Sequence, residues 1–169
     1  MNATLASWNK AGTAEALDAM IACCGARRWA EAMVALRPVA GIAELSEAAD
    51  KVWSTMEEAD WMEAFACHPR IGERKAAHAS ARSVAWSRQE QSSASSAAQQ
   101  VLEKLTAGNA AYEERFGFTY IVCATGRSAE EMLAILSRRL AGERAAELRE
   151  AAEQQRQITQ IRLGKWLVE

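Results

Sequence analysis

The sequence predicts an all-α fold: a single-domain bundle of about seven to eight helices over residues 1–169, with one extended segment near residues 118–124. Three observations lead to this prediction. The chain has 169 residues, of which half are apolar and a quarter charged, and this suits one domain with a hydrophobic core. Its apolar residues recur mostly three and four positions apart, which is the period of one helix face. Only two prolines interrupt it.

The predicted helices of the N-terminal part are defined by apolar spacing and by the residues that end them. The first begins at Thr13 and ends at Gly25, with apolar residues at Leu17, Met20, Ile21 and Cys24. The same period continues towards Pro38 through Trp29, Met33 and Leu36. A third helix has the spacing four, three, four in Leu45, Ala49, Val52 and Met56. Trp61 and Phe65 then lie on one face of a helix that runs towards Pro69.

A polar-to-amphipathic stretch predicts a helix over residues 87–107 that ends at Gly108. A short helix capped by Asn109 follows and stops at Gly117. Residues 118–124, FTYIVCA, are the only strand-like run, and one strand cannot form a sheet. We therefore expect an extended segment among helices, whose backbone groups need partners wherever they are buried.

Two helices complete the chain. Ser128 and Glu131 predict a capping box at the start of the first. The second covers residues 143–163 and has a narrow stripe made of Leu148, Ala151, Ala152, Gln155, Ile158 and Ile161.

Composition limits the partners and the location of the protein. The formal charge of −2 provides no basic field for nucleic acid or for an anionic membrane. No signal peptide or transmembrane stretch is evident, so the expected location is the cytoplasm. We expect buried free thiols and no metal site, because no zinc-ligand spacing occurs among Cys23, Cys24, Cys67 and Cys123. The sequence leaves open whether the chain forms a homodimer.

His68 stands before Pro69, and proline disfavours the helical conformation of the residue that precedes it. The histidine should therefore lie just past a helix C-terminus, on a stiff backbone. Position alone leaves two interpretations open. His68 is either a capping or core histidine, or a functional group displayed at the end of the helix.

Three further stretches are candidates for a site. The spacing of Ser87 and Glu90 predicts a capping box, whose helix N-terminus is also an anion site, but it does not explain Gln91. The extended segment offers backbone groups. Arg162 lies near the end of the last helix, where a solvated arginine is the ordinary interpretation.

Four motifs follow in order: HPRIG, SRQEQ, FGFTYIVCATGR and ITQIRL. Together they resemble the 2-oxo-4-hydroxy-4-carboxy-5-ureidoimidazoline (OHCU) decarboxylase family, over nearly the whole chain. The resemblance implies an all-helical fold and a carboxy-lyase that needs no cofactor. The implied reaction yields (S)-allantoin and is the last step of urate oxidation in purine catabolism. The implied partner is a small-molecule substrate, with no nucleic acid and no membrane.

The resemblance also implies the roles of individual residues. His68 matches the catalytic histidine, as proton donor or acceptor, and Glu90 matches its partner glutamate. The implied substrate-binding residues are Pro69, Ser87, Gln91, Tyr120, Ile121, Val122 and Arg162. Of these, Pro69 and residues 120–122 would act through backbone groups, and Arg162 through its guanidinium. We expect the set to line one pocket.

Two other functions remain open at this stage. One is a helical protein-interaction module without catalysis, which docks through the last helix. Exposure of Leu148 and Ile158 would favour it. The other is a different cofactor-free lyase or hydrolase on the same scaffold, which only a substrate assay can separate from the first.

Overall fold

A computed structural model of the chain describes residues 2–71, 80–92 and 99–169, which form α-helices joined by turns and irregular segments. The helices are α1 Ala3–Lys10, α2 Thr13–Cys23, α3 Arg27–Ala35, α4 Ile42–Trp53, α5 Glu58–Ala66, α6 Ala81–Glu90, α7 Gln99–Phe116, α8 Ala129–Leu140 and α9 Arg144–Trp166. No strand occurs in these residues, which confirms the all-α prediction. Helix α1 was not foreseen.

The chain divides into two compact units. Unit 1 contains the residues up to Ala64 together with Arg156–Glu169. Unit 2 contains Phe65–Gln155.

Unit 1 is built around buried tryptophans whose indole N–H groups have partners. Trp8 donates to the carbonyl of Ala16 at 3.0 Å, and Trp29 donates to the carbonyl of Ala49 at 3.1 Å. The ring of Trp8 meets that of Trp166 edge to face, with 5.9 Å between centroids. The large rings of Trp8 and Trp29 are therefore buried with their indole donors paired, whereas the buried Nε1 of Trp61 has no partner among the described residues.

Unit 2 has an aromatic core at the ends of α7 and the extended segment. Tyr112 contacts Phe116, Phe118 and Tyr120, with centroid distances of 4.6, 5.6 and 5.4 Å. Phe65 lies 5.4 Å from Phe118. These contacts place the segment after Gly117 against α7, and the positive φ of 82° at Gly117 supplies the turn that starts it.

Helix α7 corrects one prediction. Gly108 does not end a helix, and α7 continues through it to Phe116. A Cβ at position 108 would lie 2.5 Å from Cδ2 of Leu136, so the glycine permits close packing of α7 on α8. Asn109 is accordingly an interior residue of α7 and caps no separate helix.

The start of α8 confirms the capping box. The Glu131 backbone N–H donates to Ser128 Oγ at 3.1 Å, and the Ser128 backbone N–H donates to Glu131 Oε2 at 2.7 Å. Together these bonds satisfy two amide groups that the first turn of a helix leaves unpaired.

Helix α9 is buried along the predicted stripe except at Ile161, which is half-buried. Leu148 and Ile158 are both buried, so the exposed stripe required by the interaction-module alternative is not present at these residues. No helix in the described part of the chain is long and apolar enough to cross a membrane.

Candidate active site

His68 follows α5 as the proline predicts. The helix ends at Ala66, and the backbone N–H of His68 donates to the carbonyl of Phe65 at 3.1 Å. Pro69 is buried, and Arg70 donates through Nε to Glu113 Oε1 of α7 at 2.7 Å. The chain is therefore attached to α5 through the backbone of His68 and to α7 through the side chain of Arg70.

The imidazole of His68 meets a side chain that the sequence did not single out as a site residue. Its Nε2 lies 2.7 Å from Oε1 of Gln155 on α9, and Gln155 is fully buried. In the sequence, Gln155 falls on the predicted apolar stripe of the last helix. A polar residue on such a stripe is the signal that could have marked it, because buried amides need hydrogen-bond partners.

Ser87, Glu90 and Gln91 lie at the end of a helix and not at its start. Ser80 is the N-cap of α6 and accepts from the Ser83 backbone N–H at 3.1 Å, while Ser87 and Glu90 lie in the last turn. The predicted capping box at Ser87, and the anion site at its amide groups, are therefore wrong.

The side chains of Ser87 and Glu90 lie on one face of α6. Ser87 and Glu90 are three residues apart on α6 and are both buried, and Gln91 follows as the C-cap. Residues with this spacing share one helix face. The two groups therefore belong to a buried polar face of α6.

The extended segment is held by side chains in place of a neighbouring strand. The carbonyl of Ile121 accepts from Arg139 Nη1 of α8 at 2.6 Å. The backbone N–H of Cys123 donates to Gln154 Oε1 of α9 at 2.8 Å, and its carbonyl accepts from Arg127 Nε at 3.0 Å. The predicted need for partners is thus met at alternate residues, as in an extended chain.

Tyr120 and Val122 alternate with Ile121 and Cys123, and their backbone groups form the opposite edge of the extended segment. Tyr120 and Val122 are buried, and their backbone N–H and C=O groups make no hydrogen bond with any residue that the structure describes. Buried backbone groups are nearly always paired in proteins. These backbone groups are therefore candidates for bonding to a polar ligand.

A buried cluster of charged and hydrogen-bonded side chains contacts the extended segment at the carbonyl of Ile121. It consists of Arg139, Glu147 and Tyr112. Arg139 Nε donates to Glu147 Oε2 at 2.8 Å, and Tyr112 donates its hydroxyl to the same oxygen at 2.7 Å. Arg139 Nη2 also donates to the Tyr112 hydroxyl at 3.2 Å. This cluster was not predicted from the sequence. The sequence signal for the cluster was the charged residue Arg139, which continues the helical spacing of Met132 and Leu136 on the buried face of α8.

The cluster changes the acid–base behaviour of its members. Burial raises the pKa of the hydroxyl groups of Tyr112 and Tyr120, although the positive charge of Arg139 opposes this. Burial alone would lower the pKa of Arg139, but Tyr112 and Glu147 hold it above its ordinary value. The cluster therefore keeps a charged guanidinium bonded to the carbonyl of Ile121.

Arg162 lies in unit 1, whereas the other predicted site residues belong to unit 2. Arg162 is buried at 2% exposure, so the interpretation as a solvated arginine is wrong. Its membership of the site stays a prediction, as does a single pocket for the whole set. His78 lies outside the described residues.

Among the described residues, no group of three or more histidine, cysteine or acidic side chains comes together as a metal site. Cys23, Cys24 and Cys123 are buried free thiols, as expected, and Cys67 is a half-buried one.

Comparison with known proteins identifies relatives along most of the chain. Residues 9–164 match the model of the OHCU decarboxylase family. The chain is 33% identical over 144 residues to the uric acid degradation bifunctional protein TTL of Arabidopsis thaliana, covering 85% of the chain and 44% of that protein. It is 46% identical over 55 residues to the 2-oxo-4-hydroxy-4-carboxy-5-ureidoimidazoline decarboxylase of Amia calva, covering 32% of the chain and 31% of that protein. The matches thus span less than half the length of either relative.

Two solved structures are similar to the fold. One is an OHCU decarboxylase crystallised in the presence of (S)-allantoin, with a TM-score of 0.76, 31% identity and coverage of 88% of this chain and 96% of that one. The other is an (S)-allantoin synthase, with a TM-score of 0.70, 19% identity and coverage of 96% and 53%. At its lower identity, the second supports the fold alone.

Proposed function

Because the chain belongs to the OHCU decarboxylase family, we propose that it converts 2-oxo-4-hydroxy-4-carboxy-5-ureidoimidazoline into (S)-allantoin without a cofactor. The observation that carries this proposal is the family match over residues 9–164. The solved OHCU decarboxylase adds support, because this chain covers 96% of it and it was crystallised in the presence of (S)-allantoin.

In the proposed reaction the protein has three tasks: to position the substrate, to stabilise charge and to deliver one proton. The bond between the carboxylate and the ring carbon breaks, CO2 leaves, and the electron pair passes into the neighbouring unsaturated system of the substrate. A proton is then added to one face, which sets the handedness of the product. The protein must hold the carboxylate out of the ring plane and deliver that proton.

We assign the proton transfer to His68, supported by Glu90. The ring of His68 is held by Gln155 at 2.7 Å, and its backbone is attached to α5 by the bond to Phe65. A positioned histidine is the commonest acid–base group in enzymes. Ser87 lies on the buried face of α6 with Gln91 at its C-cap, and we assign these two residues to the substrate's polar groups.

We propose that the flat, polar substrate binds along the edge of the extended segment that Tyr120 and Val122 form. The ureido group and ring carry N–H and C=O groups side by side, and the backbone of Tyr120 and Val122 offers the complementary groups. The carbonyl of Ile121 already accepts from Arg139, so Ile121 serves to anchor the segment. Pro69 contributes its carbonyl, and Arg162 binds the substrate carboxylate through its planar fork.

The test is to generate the substrate enzymatically and to follow (S)-allantoin formation by circular dichroism. His68→Asn should lower kcat by about a hundred- to ten-thousand-fold, because it removes the acid–base group and keeps a similar volume. Glu90→Gln should also lower kcat, since it removes the charge that supports the histidine. His78→Asn is the matched control, because His78 is the other histidine of the chain and matches no family role.

The handedness of the product gives a second readout. Uncatalysed decay of the substrate gives racemic allantoin, so His68→Asn should lose selectivity together with rate. A His68→Asn protein that keeps full activity and selectivity but has a lower Tm would show that His68 is only a capping residue. Such a cap contributes about 1 kcal/mol to the free energy of unfolding. Absence of any decarboxylation by the unaltered protein would contradict the proposed function itself.

We also propose that the activity is independent of metals, because the substrate supplies its own electron sink. Treatment with a chelator should leave the rate unchanged. Loss of activity with a chelator, followed by recovery on adding zinc or magnesium, would contradict this proposal.

A further inference from the structure

Two adjacent glutamines on α9 hold two separate parts of the proposed site. Gln154 Oε1 accepts from the backbone N–H of Cys123 at 2.8 Å, and Gln155 Oε1 lies 2.7 Å from Nε2 of His68. Gln155 is fully buried, and Gln154 is nearly so. Burying an amide in a helix is costly unless it is hydrogen-bonded, so these bonds explain why polar residues stand at these two positions.

We propose that Gln155 is a positioning residue that fixes the ring orientation and the tautomer of His68. A carbonyl oxygen can only accept a hydrogen bond, so the nitrogen that faces it must carry the proton. In the neutral ring Nε2 is then the N–H, and Nδ1 is the basic nitrogen. The proton exchanged with the substrate therefore moves at Nδ1. This inference rests on the proposed role of His68 in decarboxylation.

The placement of Gln155 suits this role. Its side chain comes from the interior of a helix and is buried at 0% exposure, so it has little freedom to follow the ring. His68, in contrast, lies in an irregular stretch after α5 and is only half-buried. A rigid acceptor on a helix can hold a ring that its own backbone leaves less constrained.

The test compares Gln155→Met, Gln155→Glu and Gln154→Met with the unaltered protein. Nitrogen-15 NMR of the imidazole rings distinguishes the two tautomers, and the chain has only two histidines, so His78→Asn assigns the spectrum. The unaltered protein should show the Nε2–H tautomer at His68. Gln155→Met should shift the ring towards a mixture of tautomers, whereas Gln155→Glu keeps an acceptor oxygen and should retain the Nε2–H form.

Kinetics provide the second readout. Gln155→Met should lower kcat by about ten- to a hundredfold, the usual effect of removing the outer partner of a functional histidine, with KM nearly unchanged. Gln155→Glu should recover most of this loss. Gln154→Met removes a neighbouring buried amide of the same helix, so it controls for packing and should leave the tautomer of His68 unchanged.

The outcomes separate this inference from the proposed function. An Nδ1–H tautomer in the unaltered protein, or a Gln155→Met protein with unchanged tautomer and kcat, would overturn the role of Gln155 while decarboxylation stands. If the unaltered protein has no decarboxylase activity, the proposed function fails, and the tautomer populations of the variants still decide whether Gln155 sets the state of the ring.

Discussion

Replacement of Arg139 by methionine gives the sharpest test of how the extended segment is held. Arg139 is buried at 4% exposure and bonds to Glu147, to the Tyr112 hydroxyl and to the carbonyl of Ile121. Methionine fills a similar space but removes all three donors. The carboxylate of Glu147 is then left buried with only the Tyr112 hydroxyl as a bonded partner among these groups.

The expected cost follows from this unpaired charge. Removing one member of a buried ion pair typically costs about 3–5 kcal/mol. For a chain of this size each kcal/mol lowers Tm by roughly 2–4 °C, so Arg139→Met should melt roughly 6–20 °C earlier. A domain is stable by only about 5–15 kcal/mol in total, and the variant should therefore keep its fold at room temperature with a narrow margin.

A double variant tests whether the unpaired charge of Glu147 causes the loss of stability. Glu147→Met in the Arg139→Met background removes that charge and leaves only neutral groups without partners, at about 1 kcal/mol each. The second substitution should thus restore about 2 kcal/mol. Thermal unfolding followed by circular dichroism measures all the variants. Arg138→Met, at the exposed neighbouring position, should change the stability by less than about 0.5 kcal/mol.

Two results would refute this reasoning. One is an Arg139→Met protein that loses less than about 1 kcal/mol. The other is a Glu147→Met substitution that destabilises the Arg139→Met protein as much as it destabilises the unaltered one.

Three further predictions concern single groups. Tyr112 and Tyr120 are the only tyrosines, and burial raises the pKa of both, so their contribution to stability is complete below pH about 10 and lost above it. Stability should fall by about 1.4 kcal/mol per pH unit for each tyrosine, and tyrosinate absorbance should appear only as the protein unfolds. Asn109 is buried, and neither polar atom of its side chain has a partner in the described structure, so Asn109→Leu should raise the unfolding free energy by about 1 kcal/mol. A loss of stability would instead reveal a partner. Ser128→Ala should cost about 1 kcal/mol in denaturant unfolding through the lost cap, and an unchanged midpoint would contradict the capping box.

Local chemistry explains what the sequence predicted correctly. The proline after His68 constrains its immediate neighbour, and α5 ends at Ala66 as expected. The capping box at Ser128 was also correct. Its two bonds close within four residues, so a short motif contains all the information.

The predictions that were wrong concern features that depend on contacts with residues far away in the sequence. Ser87 and Glu90 match the same motif as Ser128 and Glu131, but α6 begins earlier, at the cap Ser80, and places them in its last turn. Gly108 was expected to stop a helix, yet it accommodates Leu136 of α8. Neither outcome can be read from the neighbouring residues, because the packing partner is remote in the chain.

The polar side chains that organise the site were visible but misinterpreted. Arg139 stands on an otherwise apolar face of α8, and Gln155 stands between Ala151 and Ile158 on the predicted stripe of α9. Periodicity alone treats such residues as interruptions of the stripe. Their hydrogen bonds to His68 and to the carbonyl of Ile121 show that they connect the helices to irregular segments, whose positions periodicity does not predict.

The way the extended segment is anchored bears on the solubility of the protein. Residues 118–124 are uncharged, rich in aromatic and β-branched side chains, and free of proline and glycine, which is the composition of segments that stack into cross-β aggregates. In the folded chain one edge of the segment is shielded, because side chains of α8 and α9 bond to the backbone of Ile121 and Cys123. Substitutions that release Arg139 should therefore lead to precipitation on heating, while helix content is still near that of the unaltered protein.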